Sequence, residues 1–303
     1  MQSLLIAESL FKKYGSIIAV DNISFEVYRG EIFGFLGPNG AGKTSTIKMM
    51  SGLLKPDKGR VLLGKNQNIS VGICPQHIVI WENLTCLEQI IYMGRMYNMS
   101  LRDAVKKAKE LLESLGLSGI KDRLAKKLSG GMQRRLNIAL ALIHSPDIVF
   151  LDEPQAGLDP QSRVLVRDYI MSIKNSTTVV LTTHDMEEAE KLSDRICIID
   201  KGTLLVTGTP EELKKISGYE DFIEVDITCD INREFIPFLR PVVTEKITIS
   251  ENTVSFNIND PVLTLENILT VVKQQNLKVN ALRLRKKSLE DIFINLTGRS
   301  IRE

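Results

Sequence analysis

The sequence contains no long apolar run. No stretch approaches the roughly 20 residues a membrane-spanning helix needs, so the chain is expected to carry no span of its own. Charge of one sign is equally scarce: 39 Lys and Arg stand against 37 Asp and Glu, a net +2 that leaves no broad field for nucleic acid. The basic clusters Lys121, Arg123, Lys126, Lys127 and Arg283, Arg285, Lys286, Lys287 lie among acids and read as solvated faces. The four cysteines, Cys74, Cys86, Cys197 and Cys229, form no C-x-x-C pair, which argues against a zinc site or disulfide frame and for reduced thiols in a cytosolic protein. Met1 to Lys13 lacks a charged stretch followed by an apolar core, so no secretory signal is expected. What remains is ordinary: 303 residues, 43% hydrophobic and 25% charged, enough for a full core and more than one domain.

One segment is not ordinary. Gly37, Pro38, Asn39, Gly40, Ala41, Gly42, Lys43 and Thr44 fit the spacing G-x-x-x-x-G-K-[ST]. Such a loop turns backbone N–H groups toward phosphate oxygens, and glycines allow the close approach. Lys43 would reach the terminal phosphates of a nucleoside triphosphate, and the Thr44 hydroxyl would ligate Mg²⁺. The flanks agree: 31–36 reads as a strand entering the loop, and 46–54 as a helix leaving it with Ile47, Met50 and Leu54 on one face. That helix N-terminus adds its dipole to the phosphate site, making Gly37 through Ser45 the candidate nucleotide contacts.

The rest of the chain alternates strand and helix. Ile23 to Val27 alternates and runs into a hairpin-like turn at Arg29–Glu31; Val61–Gly64 reads as another strand after a turn at Pro56–Gly59. A small antiparallel layer beside the parallel strands follows. Residues 84–116 are helical in character, with Ser100 and Asp103 as a capping box for a helix bearing Leu101, Val105, Ala108, Leu112 and Leu115. The apolar runs 147–151 and 178–182 suit strands buried on both faces of a parallel sheet. Residues 196–199 and 203–206 read as a hairpin closing the domain. Near Ser217–Gly218 the character changes. Strand-like 222–228 and 253–258, helical 263–272, strand-like 277–284 and helical 289–296 give a separate small α+β domain of ββαβα order. The expected architecture is an α/β P-loop NTPase core over 1–217, with a mostly parallel sheet, flanking helices, an antiparallel layer and a helical subdomain, then an α+β domain over 218–303.

Three chemistries fall at the carboxyl ends of predicted parallel strands, where open α/β sheets bind ligands. The phosphate loop is the first. Asp152 and Glu153 end the second strand: Asp152 would be satisfied by a phosphate-bound Mg²⁺, and Glu153 would face the γ-phosphate as the base for a water. Alternatively, both acids cap the next helix. His184 ends the third strand and joins the same rim, the alternative being a satisfied structural histidine or a helix cap; His77 and His144 have no such context and read as structural. A second candidate phosphate site lies at Ser129, Gly130 and Gly131, which open a long helix but bring no lysine. A two-fold dimer would resolve this by setting one copy's loop against the other's Ser-Gly-Gly.

This ordered set resembles the nucleotide-binding domain of ABC transporters over roughly residues 4–213. Gly37–Thr44 is similar to its Walker A loop, Leu128–Gln133 to its signature, Ile148–Glu153 to its Walker B strand, Gly157–Asp159 to its D-loop, and His184 to its switch histidine. The resemblance implies that Gln76 is the Q-loop glutamine, touching Mg²⁺ or water and sensing the membrane partner, and that Tyr14 stacks on adenine. Met132 and Gln155 depart from the family's usual glutamine and Thr or Ser, and Gln155 borders the D-loop. Ser288 to Gly298 resembles the ending of ATPase subunits in the drug-, bacteriocin- and sodium-exporting branch, and implies that the C-terminal domain dimerises or regulates.

The implied function is ATP hydrolysis with Mg²⁺, with Glu153, His184, Gln76 and Lys43 at the reaction. The subunit would sit at the cytoplasmic face of the membrane, paired with a second copy or homologous subunit and driving a separate transmembrane permease. By analogy, the segment around Trp81–Thr85 would form the groove for that partner. The alternative is a soluble ABC-type ATPase of an assembly, ribosome or nucleic-acid machine, although Lys43 and Ser129 are too close for an inserted coiled coil and only one Walker A is present.

Overall fold

The computed structural model describes residues 2–64, 68–216, 221–227, 236, 247–250, 253–258, 261–274, 279–286 and 288–297. They divide into two compact units, Met1–Pro210 and Glu211–Arg299. Ser217 and Gly218, where the sequence reading set its boundary, lie outside the described residues.

In the first unit, β1 (Ser3–Tyr14) and β2 (Ile17–Tyr28) form an antiparallel ribbon, and β4 (Lys58–Leu63) pairs with β1 on its other side. The main sheet is built on β3 (Ile32–Leu36), β5 (Val71–Cys74), β6 (Ile148–Asp152), β7 (Thr178–Thr183), β8 (Arg195–Asp200) and β9 (Thr203–Gly208), ordered β5-β6-β7-β3-β8-β9. Only the β8–β9 pair is antiparallel. Arg29–Glu31 is therefore no hairpin: it carries the chain from the antiparallel layer into the parallel sheet, with Gly30 at a φ of +76°.

Every residue of β3, β6 and β7 is buried, which is why these strands read as unbroken apolar runs. One face, with Phe33, Phe35, Ile148, Phe150 and Val180, meets α1 (Lys43–Met50) and the antiparallel layer. Phe25 of β2 stacks on Phe33 and meets Phe35 edge-on, at 5.7 and 5.0 Å between ring centroids. Burying such rings contributes about 1.5–3 kcal/mol each and fixes β3 beneath the loop that follows it. The opposite face, with Ile32, Val149, Leu151, Val179 and Leu181, packs on the helical side of the core.

That side holds α2 (Cys86–Met96), α3 (Leu101–Ser114), α4 (Gly130–Leu142), α5 (Pro160–Ile173) and α6 (Met186–Leu192). The inward face of α3 is Ala104, Ala108, Leu111 and Leu112, whereas Leu101 is exposed. Ser100 makes half of the expected capping box, accepting from the Asp103 N–H; the complete box belongs to Thr85 and Glu88 at the start of α2. Cys74, Cys86 and Cys197 are free and fully buried; burial pushes Cys74 and Cys197 up to about 12, which makes them poor nucleophiles. Cys229 lies outside the described residues.

In the second unit, β10 (Asp221–Ile227), β11 (Ile247–Ser250), β12 (Thr253–Ile258) and β13 (Val279–Lys286) form an antiparallel sheet of order β11-β12-β10-β13. Ile223, Val225, Val254 and Ile268 centre its core, the last from α8 (Pro261–Gln274). The unit ends in α9 (Leu289–Thr297), with α7 (Pro210–Ile216) at its beginning. Strand β11 was not expected; among the described residues β10, β11, β12, α8, β13 and α9 follow α7 in the order βββαβα.

Candidate functional site

The order β6-β7-β3 sets the carboxyl ends of three neighbouring strands side by side. Asp152 is in register with Thr182, and Leu36 with Thr183. The loop leaving β3 turns at Gly40 and Gly42, at φ of +80° and +101°, and α1 begins at once with Lys43, three residues earlier than the sequence reading placed it. The helix stops at Met50, with Ser51 as C-cap and Gly52 at a φ of +78°, so Leu54 is beyond it.

Over the loop lies a cleft of about 430 Å³ lined by Tyr14, Ala19, Asn39–Ser45, Gln76 and Glu153. Tyr14 in this lining is half exposed. Lys43 is buried and donates to the Gly37 and Pro38 carbonyls at 2.7 and 3.0 Å, with Glu153 Oε1 3.7 Å from its Nζ. Burial lowers the lysine's pKa, while Glu153 and Asp152 hold it up.

Asp152 is buried and accepts two hydroxyls on Oδ1, from Thr182 at 2.6 Å and from Thr44 at 3.3 Å. Thr182 in turn accepts the Glu153 N–H at 2.9 Å. That bond helps to hold Glu153 in the left-handed region, at a φ of +51°, which costs an L-residue about 1–2 kcal/mol. The Glu153 carboxylate thereby faces the loop, and His184 Nδ1 lies 2.9 Å from its Oε2. Neither acid caps a helix: Asp159 caps α5 and Asp185 caps α6, so His184 is no cap either. Among the described residues no cluster of three or more His, Cys, Asp or Glu side chains could hold a metal alone. The oxygens of Thr44 and Asp152 suit a hard cation that takes its remaining ligands from phosphate and water.

Gln76 is placed by its backbone. Buried Arg134, on α4, donates to the Pro75 and Gln76 carbonyls at 3.1 and 2.6 Å, and Asn137 Oδ1 accepts the Val79 N–H at 3.2 Å. Neither Arg134, Asn137 nor Thr182 was singled out from sequence, although a threonine ending an apolar strand and arginines following Ser-Gly-Gly were signals in view.

Ser129, Gly130 and Gly131 are not among the cleft's lining residues. Ser129 caps α4, accepting the Met132 N–H at 3.3 Å, and it and Gly130 are exposed. His144 contacts the Val71 carbonyl through Nε2 at 3.2 Å and stacks on Tyr97, and burial lowers its pKa: a structural role, as expected. His77 is exposed.

Beyond the cleft, Glu188 Oε2 accepts from Thr183 Oγ1 at 3.3 Å, and Arg163 Nη1 lies 3.7 Å from its Oε1 and 3.5 Å from Asp185 Oδ2. Burial first, then the Asp185 charge, pushes Glu188 up to about 7. Outside this region, Ile78, Val79, Trp81 and Tyr92 leave an apolar surface open to solvent, Trp81 and Tyr92 meeting edge to face at 5.5 Å. No helix among the described residues is long and apolar enough to cross a membrane.

Known proteins share this chain's sequence and fold. Residues 20–156 match the family model described as ABC transporter. The chain is 36% identical to the linearmycin resistance ATP-binding protein LnrL of Bacillus subtilis, over 99% of this chain and all of that protein. It is also 36% identical to the Nod factor export ATP-binding protein I of Ralstonia nicotianae, over 99% of this chain and 95% of that one. Among solved structures, an ATP-binding subunit of an ABC transporter superposes with a TM-score of 0.66 at 26% identity, covering 71% of this chain and 94% of that one. The chain belongs to the ABC transporter ATP-binding family, whose members bind and hydrolyse ATP.

Proposed function

We propose that this chain is the ATP-hydrolysing subunit of an exporter, working at the cytoplasmic face of a membrane as a head-to-tail pair beneath a separate membrane-spanning subunit. Export is favoured by the names of the two full-length relatives, one a resistance protein and one an export protein. The observation that carries the enzymatic reading is Glu153, held at positive φ with its carboxylate between Lys43 and His184 at the cleft.

In this reading the backbone of Gly37–Ser45 cradles the phosphates, Lys43 exchanges carbonyl partners for the β- and γ-phosphate oxygens, and Tyr14 takes the adenine. Thr44 and Asp152, with Gln76 nearby, are the residues that would hold Mg²⁺, which when bound would neutralise charge on the phosphates. Glu153 accepts a proton from the attacking water as its oxygen bonds to the γ-phosphorus, while ADP leaves with the electrons of the broken bond. His184 fixes the direction of the Glu153 carboxylate. Ser129, Gly130 and Gly131 close the site of the opposite copy, so ATP binding joins the pair and hydrolysis frees it. The surface of Ile78, Val79, Trp81 and Tyr92 would receive the membrane subunit, and residues 218–303 would dimerise or regulate.

Replacement of the base tests this reading. Glu153→Gln keeps the shape and removes the proton acceptor, so ATP binding should persist while turnover falls by about 10²–10⁴-fold. The variant should accumulate as an ATP-bound dimer in size-exclusion chromatography. Turnover within a few-fold of the unmodified chain would remove Glu153 from the role.

A further inference from the structure

Arg163 stands in the first turn of α5, just after the Gly157–Asp159 loop, and outside the cleft. Its Nε donates to the Leu158 carbonyl at 3.2 Å, and its Nη1 lies 3.5 Å from Asp185 Oδ2 and 3.7 Å from Glu188 Oε1. One planar cation therefore spans two segments far apart in sequence: the loop before α5 and the turn that follows His184.

The carboxylates it reaches fix the backbone that carries His184. Asp185 caps α6 by accepting the Glu188 N–H at 3.1 Å, and its own N–H donates to Thr183 Oγ1 at 2.9 Å. The same Thr183 hydroxyl donates to Glu188 Oε2 at 3.3 Å. Residues on both sides of His184 are thus tied into one small network, with His184 Nδ1 reaching Glu153 at 2.9 Å. At Glu188 the Asp185 and Glu153 charges are repulsive, and Arg163 is the cation that offsets them there. Its side chain is 45% exposed, so as an ion pair it adds little to stability. Its value lies in the connection.

We propose that Arg163 is a positioning residue that transmits the placement of the Gly157–Asp159 loop to the His184–Glu153 pair. This rests on the reading of Glu153 as the base. In a pair of copies, the approach of anything to that loop would register at His184 through the Leu158 carbonyl, the guanidinium and the Asp185 cap. Gln155, buried just before the loop, has an Nε2 without a hydrogen-bond partner, so packing there is not locked by a bond from that amide.

The test is single-turnover ATP hydrolysis by the full chain, comparing Arg163→Ala, Arg163→Lys and the same changes in a His184→Ala background. Arg163→Ala is expected to lower the rate about tenfold, with ATP affinity within twofold and the melting temperature nearly unmoved. Arg163→Lys keeps the charge but loses the fork, and should recover part of the rate. In His184→Ala, Arg163→Ala should cost less than twofold more, because both act through one group. An unchanged rate in Arg163→Ala, or an equal tenfold loss in both backgrounds, overturns the proposal. So does a loss of rate matched by lost affinity and a lower melting temperature. Glu153→Gln run alongside separates the two ideas: active Glu153→Gln defeats the base assignment, whereas inactive Glu153→Gln with fully active Arg163→Ala defeats the coupling alone.

Discussion

Two helices of the chain open at glycines, and the fold accounts for one set but not the other. At α1, a Cβ on Gly42 would stand 2.3 Å from the Ala19 carbonyl oxygen, and one on Gly37 would stand 2.2 Å from that of Ile199. Gly42 also sits at a φ of +101°, closed to L side chains. At α4, a Cβ on Gly130 would meet nothing within 4 Å, and one on Gly131 would rest 3.4 Å from Leu158 Cδ2, an ordinary contact. Neither has a positive φ. The first turn is glycine because its own chain passes close by. Nothing in the single chain requires glycine at the second, which fits the proposal of a site completed by another copy.

The largest effect expected from this contrast is at α1. Lys43→Ala removes the buried cation of the cleft. A hydrogen bond to a charged group contributes about 1.5–3 kcal/mol, so ATP affinity should fall about 10- to 100-fold in a direct titration of the monomer. Unchanged affinity would mean that the cleft does not take phosphate. Ser129→Ala, at the other helix, should behave differently. Its side chain caps only its own helix, so stability should drop by about 1 kcal/mol and monomer ATP affinity should stay within twofold. Hydrolysis, which on this reading needs both copies, should drop tenfold or more. Loss of ATP binding by isolated Ser129→Ala monomers would erase the distinction between the two helices.

Much of this was legible in sequence because burial on both faces writes itself as an unbroken apolar run: β6 and β7 were found within a residue. The loop between β3 and α1 was legible because it is one contiguous motif, in which Gly40 and Gly42 answer to positive φ, and Gly37 and Gly42 to close-passing chain. Features set by tertiary docking were not. The α3 reading began its apolar stripe at Leu101, but the inward face is chosen by packing against neighbouring helices, and Leu101 fell outside it. Strand β11 has four residues, too few to alternate visibly. The Arg29–Glu31 turn looked like a hairpin because a turn between antiparallel strands and one between layers share the same residues. Within the site, Asp152, Glu153 and His184 stood out as polar groups ending apolar strands. Thr182, which holds Asp152 and the Glu153 N–H, gains meaning only once strand order brings β6 beside β7, and Arg134 and Arg163 only once packing sets α4 against Gln76 and α5 against the start of α6.

The smallest expected effect is also the sharpest. Gly130→Ala puts a methyl group into open space at the first position of α4, where glycine has no conformational necessity. Alanine exceeds glycine in helix propensity by up to about 1 kcal/mol, less at a first turn, so the melting temperature should hold or rise by a degree or two. If α4 presents its N–H groups to a phosphate on the opposite copy, the same methyl stands between them and the anion. Hydrolysis should then fall about threefold to tenfold in a chain that is no less stable, and the ATP-bound dimer should loosen in the Glu153→Gln background. A fall in activity that tracked a fall in stability would place the defect inside the fold. Full activity with a raised melting temperature would show that Gly130 faces only solvent, and the second helix would then have no part in binding the nucleotide.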